Sequence, residues 1–402
     1  MKTVFAKSFT QQESIPADAI ARAVDVLNSG RIHRYNVLKD EVSEVSLLEQ
    51  EFATYISSKY CLAVSSGGYA LTTALRALKL KPEEPVLTNA FTLAPVPGAI
   101  AGATGKPIFI GVTSNLRIDI NDLEKKAEKT KSRILVLSHM RGHIADMDSI
   151  MDVCHRQGIK VIEDCAHTLG AEWKGVKSGR HGLIGCYSTQ TYKHMNSGEG
   201  GFLVSDDAEI MARATVLSGS YMLYGHHLAR PSNEIFDEIK LETPNCSGRM
   251  DNLRAAILRP QLKILDENCR RWTERYNVVA AEIAKEPSIR LPKRPNEEKF
   301  VGSSIQFNLP DWSNEVIKKF IAEAAGRGVE LKWFGAPQPV GFTSTYRSWT
   351  YAEPQELADT DEVLRTLCDM RLPLTFTLDD CKIIGEIIRD CAHLVSEGLR
   401  NQ

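Results

Sequence analysis

Lys193 sits in the stretch YSTQTYKHMNSGEGG, residues 187 to 201, between a run of hydroxyl side chains and a turn in which three glycines surround Glu199. A lysine amine becomes a covalent catalyst by condensing with an aldehyde. Upstream, VIEDCAH at residues 161 to 167 is an apolar run ending in two acids, so Asp164 falls at a strand end, where a carboxylate can hold a heteroaromatic nitrogen protonated. The same two acids also suit a solvated strand end or a turn. Earlier still, SSGGYALTTAL at residues 65 to 75 opens a helix with serines and glycines. Backbone N–H groups exposed there, at the positive end of the helix dipole, suit a phosphate dianion. An ordinary strand-to-helix turn would use the same glycines. Ser188 adds a hydroxyl from a second strand end. Amine, acid and phosphate cradle are together what pyridoxal phosphate needs, its protonated ring serving as electron sink.

The elements that would carry these residues follow from the hydrophobic pattern. Short β-branched runs, CLAVSS, PVLTNA, KPIFIGV, RILVLSH and KVIEDCA, alternate with helical patterns such as GYALTTALRALKL, IDINDLEKKAEKT and DMDSIMDVCHRQ. That alternation predicts a mostly parallel sheet covered on both faces, with ligands outside the carboxyl ends of its strands. Ser65, Ser66, His139, Asp164 and Ser188 all fall at such ends. Residues 249 to 286 read as one long helical stretch with a kink at Pro260. SIQFNL, VIKKFIAEAAGRG, VELKWF and CKIIGEIIRDCAHLVSEGL beyond it predict a smaller α+β domain. The expected organisation is an arm over residues 1–20, a large α/β domain over 21–250, and the linking helix with the small domain over 251–402.

Composition narrows the function. With 402 residues, 43% apolar and 25% charged, the chain is long enough for a substantial core, and its net charge of −2 gives no reason to expect nucleic acid. No stretch has the length of a membrane span, and the N-terminus lacks the pattern of a signal peptide. Nine cysteines without a CxxC pair predict buried free thiols in a reducing compartment, here the cytoplasm. His226 and His227 are adjacent with no ligand spacing, so no metal is expected. The Ser-Gly loop lacks the GKS or GKT ending of a Walker A motif, and Leu203 stands where SGEGGFL would need a third glycine for a dinucleotide fingerprint.

The order of the parts, small-residue loop, strand-end acid, serine, lysine and GEGG, resembles the DegT/DnrJ/EryC1/StrS family, best known as sugar aminotransferases. The likeness runs from SGRIHRYN through EEPVLTNAFTLAP, HMRGHIADMDSIMDVC, VIEDCAHTLGAEWKGVKSGRHGLIGCYS and KHMNSGEGGFLVSDD to GRMDNLRAAILRPQLKIL and LPLTFTLDD. It implies the fold type I architecture, a seven-stranded, mostly parallel sheet sandwiched by helices, and a homodimer with shared active sites. It also implies ping-pong transfer of an amino group from glutamate or glutamine to a keto-sugar, nucleotide-linked in many members, or a related carbonyl.

Carried over by position, Lys193 is similar to the Schiff-base lysine, Asp164 to the acid at the pyridine nitrogen, Ala166 to the small residue under the ring and His167 to its neighbour. Ser66, Gly67 and Ser188 resemble the phosphate contacts, with Gly68 where the family usually has threonine. Leu93 replaces a stacking aromatic, with Phe91 nearby. HMRG brings Arg141 toward the sheet edge as an anion contact or a surface residue, and NCSGRM offers Asn245 or Ser247 for a cross-dimer phosphate contact. Trp333, Phe334, Tyr346 and Trp349 are candidates for an acceptor pocket or for core, and Glu199 for substrate orientation or turn closure. A dehydrating branch of the family has histidine at the lysine position, so Lys193 favours transamination over that chemistry; a catalytically silent regulatory homologue is the other alternative.

Overall fold

The computed structural model describes residues 3–400. Its centre is a sheet of seven strands: β1 (Tyr60–Val64), β2 (Pro85–Asn89), β3 (Lys106–Ile110), β4 (Ile134–Ser138), β5 (Lys160–Asp164), β6 (Ile184–Ser188) and β7 (Gly201–Ser205). Most are buried on both faces, as their unbroken apolar runs require. The spatial order is β1-β7-β6-β5-β4-β2-β3. Only β7 runs against its neighbours, antiparallel to both β1 and β6. This reversal matters for Lys193. Ser188 at the end of β6 pairs with Gly201 at the start of β7, and the Thr189 amide donates to the Gly200 carbonyl at 2.9 Å. The intervening loop is therefore pinned at its base and presents its tip over the carboxyl end of the sheet.

Helix α1 (Gly67–Ala77) follows β1 directly. Ser66 caps it, its side chain accepting from the Tyr69 amide at 3.0 Å. Apolar residues of α1, including Leu71, Ala74 and Leu75, pack on one face of the sheet, while Phe52, Leu137 and Tyr187 belong to the core on the other.

The long helical stretch is two helices, α2 (Asn252–Lys263) and α3 (Leu265–Ile283). The break lies at Ile264 rather than at Pro260, which remains inside α2. The Ile264 amide bonds the Gln261 carbonyl, a one-turn tightening that ends α2 after it has accommodated the proline. Beyond α3 a second, antiparallel sheet is built from β8 (Ser304–Asn308), β9 (Lys332–Trp333) and β10 (Leu367–Arg371), with β10 in the middle. Helix α4 (Leu378–Arg400) lies along α3, and the two share a core with Phe307, Phe320 and Phe376. Phe5 and Phe9 from the N-terminal stretch join that core, each ring edge-on to Phe376. The end of β10 reaches back toward the carboxyl ends of β4 and β5, and it closes a cavity there.

Candidate active site

The cavity has a volume of about 500 Å³ and is lined from both sheets. The ends of β4, β5 and β6 supply Ser138, Asp164 and Ser188; the loop between β6 and β7 supplies Gln190, Tyr192, Lys193 and Glu199. Lys193 Nζ is 2.9 Å from His167 Nε2. Burial and the neighbouring Arg141 push the Lys193 amine down, against the opposing pull of Asp164, to about 7. Burial, reinforced by Lys193 and Arg141, holds His167 well below the usual histidine range, so its ring is neutral at pH 7.

Glu163 and Asp164 are successive residues of β5 and point to opposite faces. Only Asp164 lines the cavity. Its Oδ2 accepts from Ser138 Oγ at 2.8 Å, and Ser138 Oγ in turn accepts from Thr92 Oγ1 at 2.8 Å; Oδ1 accepts from the Ala166 amide at 3.2 Å. A buried carboxylate with these donors is held both in charge and in direction. Glu163 turns inward instead. It accepts from the amides of Gly179, His181 and Gly182 and pairs with His139 Nε2 at 3.0 Å, which ties down the loop before β6. Cys165 lies beside this pair, its Sγ close enough to form a compact His139, Glu163, Cys165 group, but the lone pairs of Glu163 are spent on the loop.

At the opposite end of the cavity are Ser66, Gly67, Gly68 and Ser188. The first amides of a helix have no acceptor within it, and at Gly67 and Gly68 they lie at the dipole's positive end. Close approach explains the glycines. A Cβ on Gly67 would stand 2.8 Å from the Ser188 Cβ, and one on Gly201 would stand 2.7 Å from the Gly67 amide nitrogen. The start of α1 and the ends of β6 and β7 therefore meet with no room for a methyl group.

Ala166, His167 and Arg141 also line the cavity. Arg141 is not a surface residue: it is buried, its Nη2 donates to Asp369 Oδ2 at 2.9 Å, and its guanidinium stacks 4.4 Å from the centre of the Phe342 ring. Three expected contacts lie elsewhere. Phe91 is buried beside the cavity, edge-on to Phe334 at 5.3 Å, and Leu93 takes the lining position. Trp333 is core, its Nε1 donating to the Arg365 carbonyl at 2.7 Å because β9 turns that face away from the cavity. Phe334, Tyr346 and Trp349 form a separate aromatic core with Phe109. Asn245 is exposed, and its Oδ1 accepts from the Ser247 amide at 3.0 Å, outside the cavity of its own chain. Phe342, Tyr192 and Arg371 line the cavity without having been singled out. Arg371 immediately precedes the LPLTF run, which is the one sequence sign of its place.

All nine cysteines are free, and eight are buried. No described helix is long and apolar enough to cross a membrane.

Residues 14–389 match the sequence profile of the DegT/DnrJ/EryC1/StrS aminotransferase family. The chain is 31% identical over 280 residues to the pleiotropic regulatory protein of Geobacillus stearothermophilus, covering 68% of each. It is 30% identical over 287 residues to the dTDP-3-amino-3,4,6-trideoxy-alpha-D-glucose transaminase of Streptomyces venezuelae, covering 70% of this chain and 69% of that one. Among solved structures it is similar to 3-amino-5-hydroxybenzoic acid synthase, with a TM-score of 0.82 over 98% of this chain and 100% of that one at 21% identity. The expected fold type I architecture is thus the observed one. With the profile spanning nearly the whole chain and a transaminase among its relatives, the protein belongs to the DegT/DnrJ/EryC1/StrS aminotransferase family.

Proposed function

We propose that the protein uses pyridoxal phosphate to move an amino group from glutamine or glutamate to a keto-sugar or related carbonyl. The observation that carries this reading is convergence: Lys193, Asp164 and the N-terminus of α1 share one cavity. The donor set fits the cofactor. Lys193, with its amine down at about 7, is a competent nucleophile for the aldehyde at neutral pH. Asp164, held by Ser138, suits the ring nitrogen, and Ala166 leaves space that a larger side chain would fill. The amides of Gly67 and Gly68 and the hydroxyls of Ser66 and Ser188 suit the phosphate. When bound, the cofactor supplies the electron sink and carries the amino group between donor and acceptor.

The chain's own residues then have distinct tasks. Lys193 takes and returns the proton at the substrate carbon, and His167 steers it through their shared contact. The Thr92, Ser138 and Asp164 relay keeps the acid charged. Glu199, exposed at the cavity mouth, orients the incoming substrate. Division into an arm (1–20), a cofactor-binding unit (21–250) and a closing unit (251–402) belongs to the same reading, supported by Phe342 and Arg371 walling the cavity from the last of these. Asn245, exposed on its own chain, is available to a second copy, consistent with a homodimer that shares its sites. The free thiols suit a reducing compartment such as the cytoplasm. A transaminase of an amino sugar among the relatives supports the acceptor class.

The test is a product assay. Loaded protein is incubated with glutamine or glutamate, with and without a dTDP-linked keto-sugar or a keto-cyclitol. The reading predicts one equivalent of keto acid per site without acceptor, and catalytic conversion of ketone to amine with it. No keto acid from either donor would contradict it.

A further inference from the structure

Three cationic side chains face the cavity, Lys193, Arg141 and Arg371, and their surroundings differ. Arg141 is neutralised by Asp369, whose other oxygen accepts from Gln306 Nε2 at 2.7 Å. That carboxylate is fully buried and has no further capacity to serve Arg371. Arg371 itself has neither an ion pair nor a side-chain hydrogen bond among the described residues. Its guanidinium is instead fixed by two aromatic rings, 3.8 Å from the centre of Tyr192 and 5.2 Å from that of Phe342. Stacking constrains the plane of the guanidinium while leaving its in-plane N–H fork unsatisfied. A guanidinium set in this way is prepared for a planar, two-oxygen anion.

We propose that Arg371 is a specificity-determining residue that receives the carboxylate of the amino donor. The assignment rests on the aminotransferase reading above. Two features favour the donor carboxylate over an anionic group of the acceptor. Tyr192, which positions the guanidinium, is the chain neighbour of Lys193, and an α-amino acid carries its carboxylate only one carbon from the amine that must replace Lys193. The phosphate cradle, the other anion site of the cavity, is built separately from α1 and β6. Arg371 comes from β10, so donor binding would bridge the two sheets and draw the C-terminal part onto the site.

The experiment is a titration of the loaded protein's visible absorbance with glutamine and with 4-aminobutanamide, which is glutamine without its carboxylate, for wild type, Arg371→Ala and Arg371→Lys. Arg371→Ala is expected to raise the half-saturating glutamine concentration about 30-fold, as loss of a charge-assisted bidentate pair implies. Arg371→Lys should recover part of that loss, and the amide lacking a carboxylate should respond equally weakly in all three. The acceptor KM should stay within about twofold. Equal glutamine responses in wild type and both variants would overturn the assignment to Arg371 alone, and so would a loss confined to the acceptor KM, which would move Arg371 to the acceptor's anionic group. A wild type unresponsive to every donor would instead overturn the aminotransferase reading on which the assignment rests. Should Arg371→Ala fail to load or fold, Arg371→Lys decides: a raised half-saturating concentration supports the assignment and an unchanged one overturns it.

Discussion

Lys193 Nζ and His167 Nε2 stand 2.9 Å apart, a lysine whose amine is driven down to about 7 facing an imidazole that burial keeps neutral. The lysine comes from the loop between β6 and β7 and the histidine from the turn after β5, so the contact depends on adjacent strands ending at one level. A depressed lysine is neutral, and nucleophilic, above its own pKa. The rate at which cofactor-free protein captures pyridoxal phosphate should therefore rise with pH and level off above about 7, whereas an ordinary lysine would still be gaining at pH 9. Stopped-flow absorbance across pH 5.5 to 9.5 checks this; a rate still climbing tenfold per pH unit above 8 would contradict it.

Ser138 joins Thr92 to Asp164 through two hydrogen bonds of 2.8 Å. Ser138→Ala removes a donor from a buried carboxylate and leaves Thr92 without its acceptor. The expected cost is about 1.5–3 kcal/mol, divided between stability and the rate of proton transfer. A kcat about tenfold lower with little change in cofactor affinity is the predicted signature. Unchanged kcat would show that Asp164 needs no such support.

The convergence of Gly67, Ser188 and Gly201 makes a steric prediction. Adding a methyl at Gly67 forces apart backbone segments that form the phosphate end of the cavity, at an overpacking cost of about 1–3 kcal/mol. Gly67→Ala should weaken cofactor retention on dialysis by at least tenfold. Gly198→Ala at the exposed turn, where a Cβ would meet nothing within 4 Å, should disturb the cradle far less despite its own backbone strain. Equal effects would point to backbone conformation rather than to close approach.

Far from the cavity, Arg34 and Glu49 form a fully buried pair, with Arg34 Nη1 and Nη2 each donating to one Glu49 oxygen at 3.0 and 2.9 Å. Glu49 also accepts from the Ala63 amide of β1 and contacts His227. Burial alone would raise this carboxyl, but Arg34 and His227 hold it down at about 2. A carboxyl depressed from 4.5 contributes stability that is complete above its unfolded value and is lost as pH falls toward 2. Chemical denaturation should show stability declining through that window. Arg34→Met leaves a buried carboxylate alone and should cost about 3–5 kcal/mol near neutrality, with a weaker acid dependence. A loss under 1 kcal/mol would contradict this picture.

The sequence legibility of the site follows chain distance and periodicity. Ser66, Asp164 and Ser188 were readable because apolar runs mark strands, and residues just past or at their ends face the ligand side of a parallel sheet. Arg371 was not, since it reaches the cavity from the second sheet and no local pattern reports the packing of one sheet against another. Choosing among aromatics failed for the same reason: Phe91 and Trp333 satisfy the composition of a pocket, yet packing sends both into core and leaves the wall to Leu93 and Phe342. The Pro260 kink was displaced to Ile264 because a proline near a helix end removes only one backbone bond, and the final turn can absorb it.

The central claim is that Lys193 carries the cofactor and that the cofactor accepts an amino group. Its most direct test is the visible spectrum of purified protein with pyridoxal phosphate, wild type against Lys193→Ala, before and after glutamine or glutamate. The account predicts a band in wild type that survives dialysis, is absent from Lys193→Ala and is bleached by at least one donor. A band of equal strength in Lys193→Ala, or a wild-type band that neither donor alters, would contradict it.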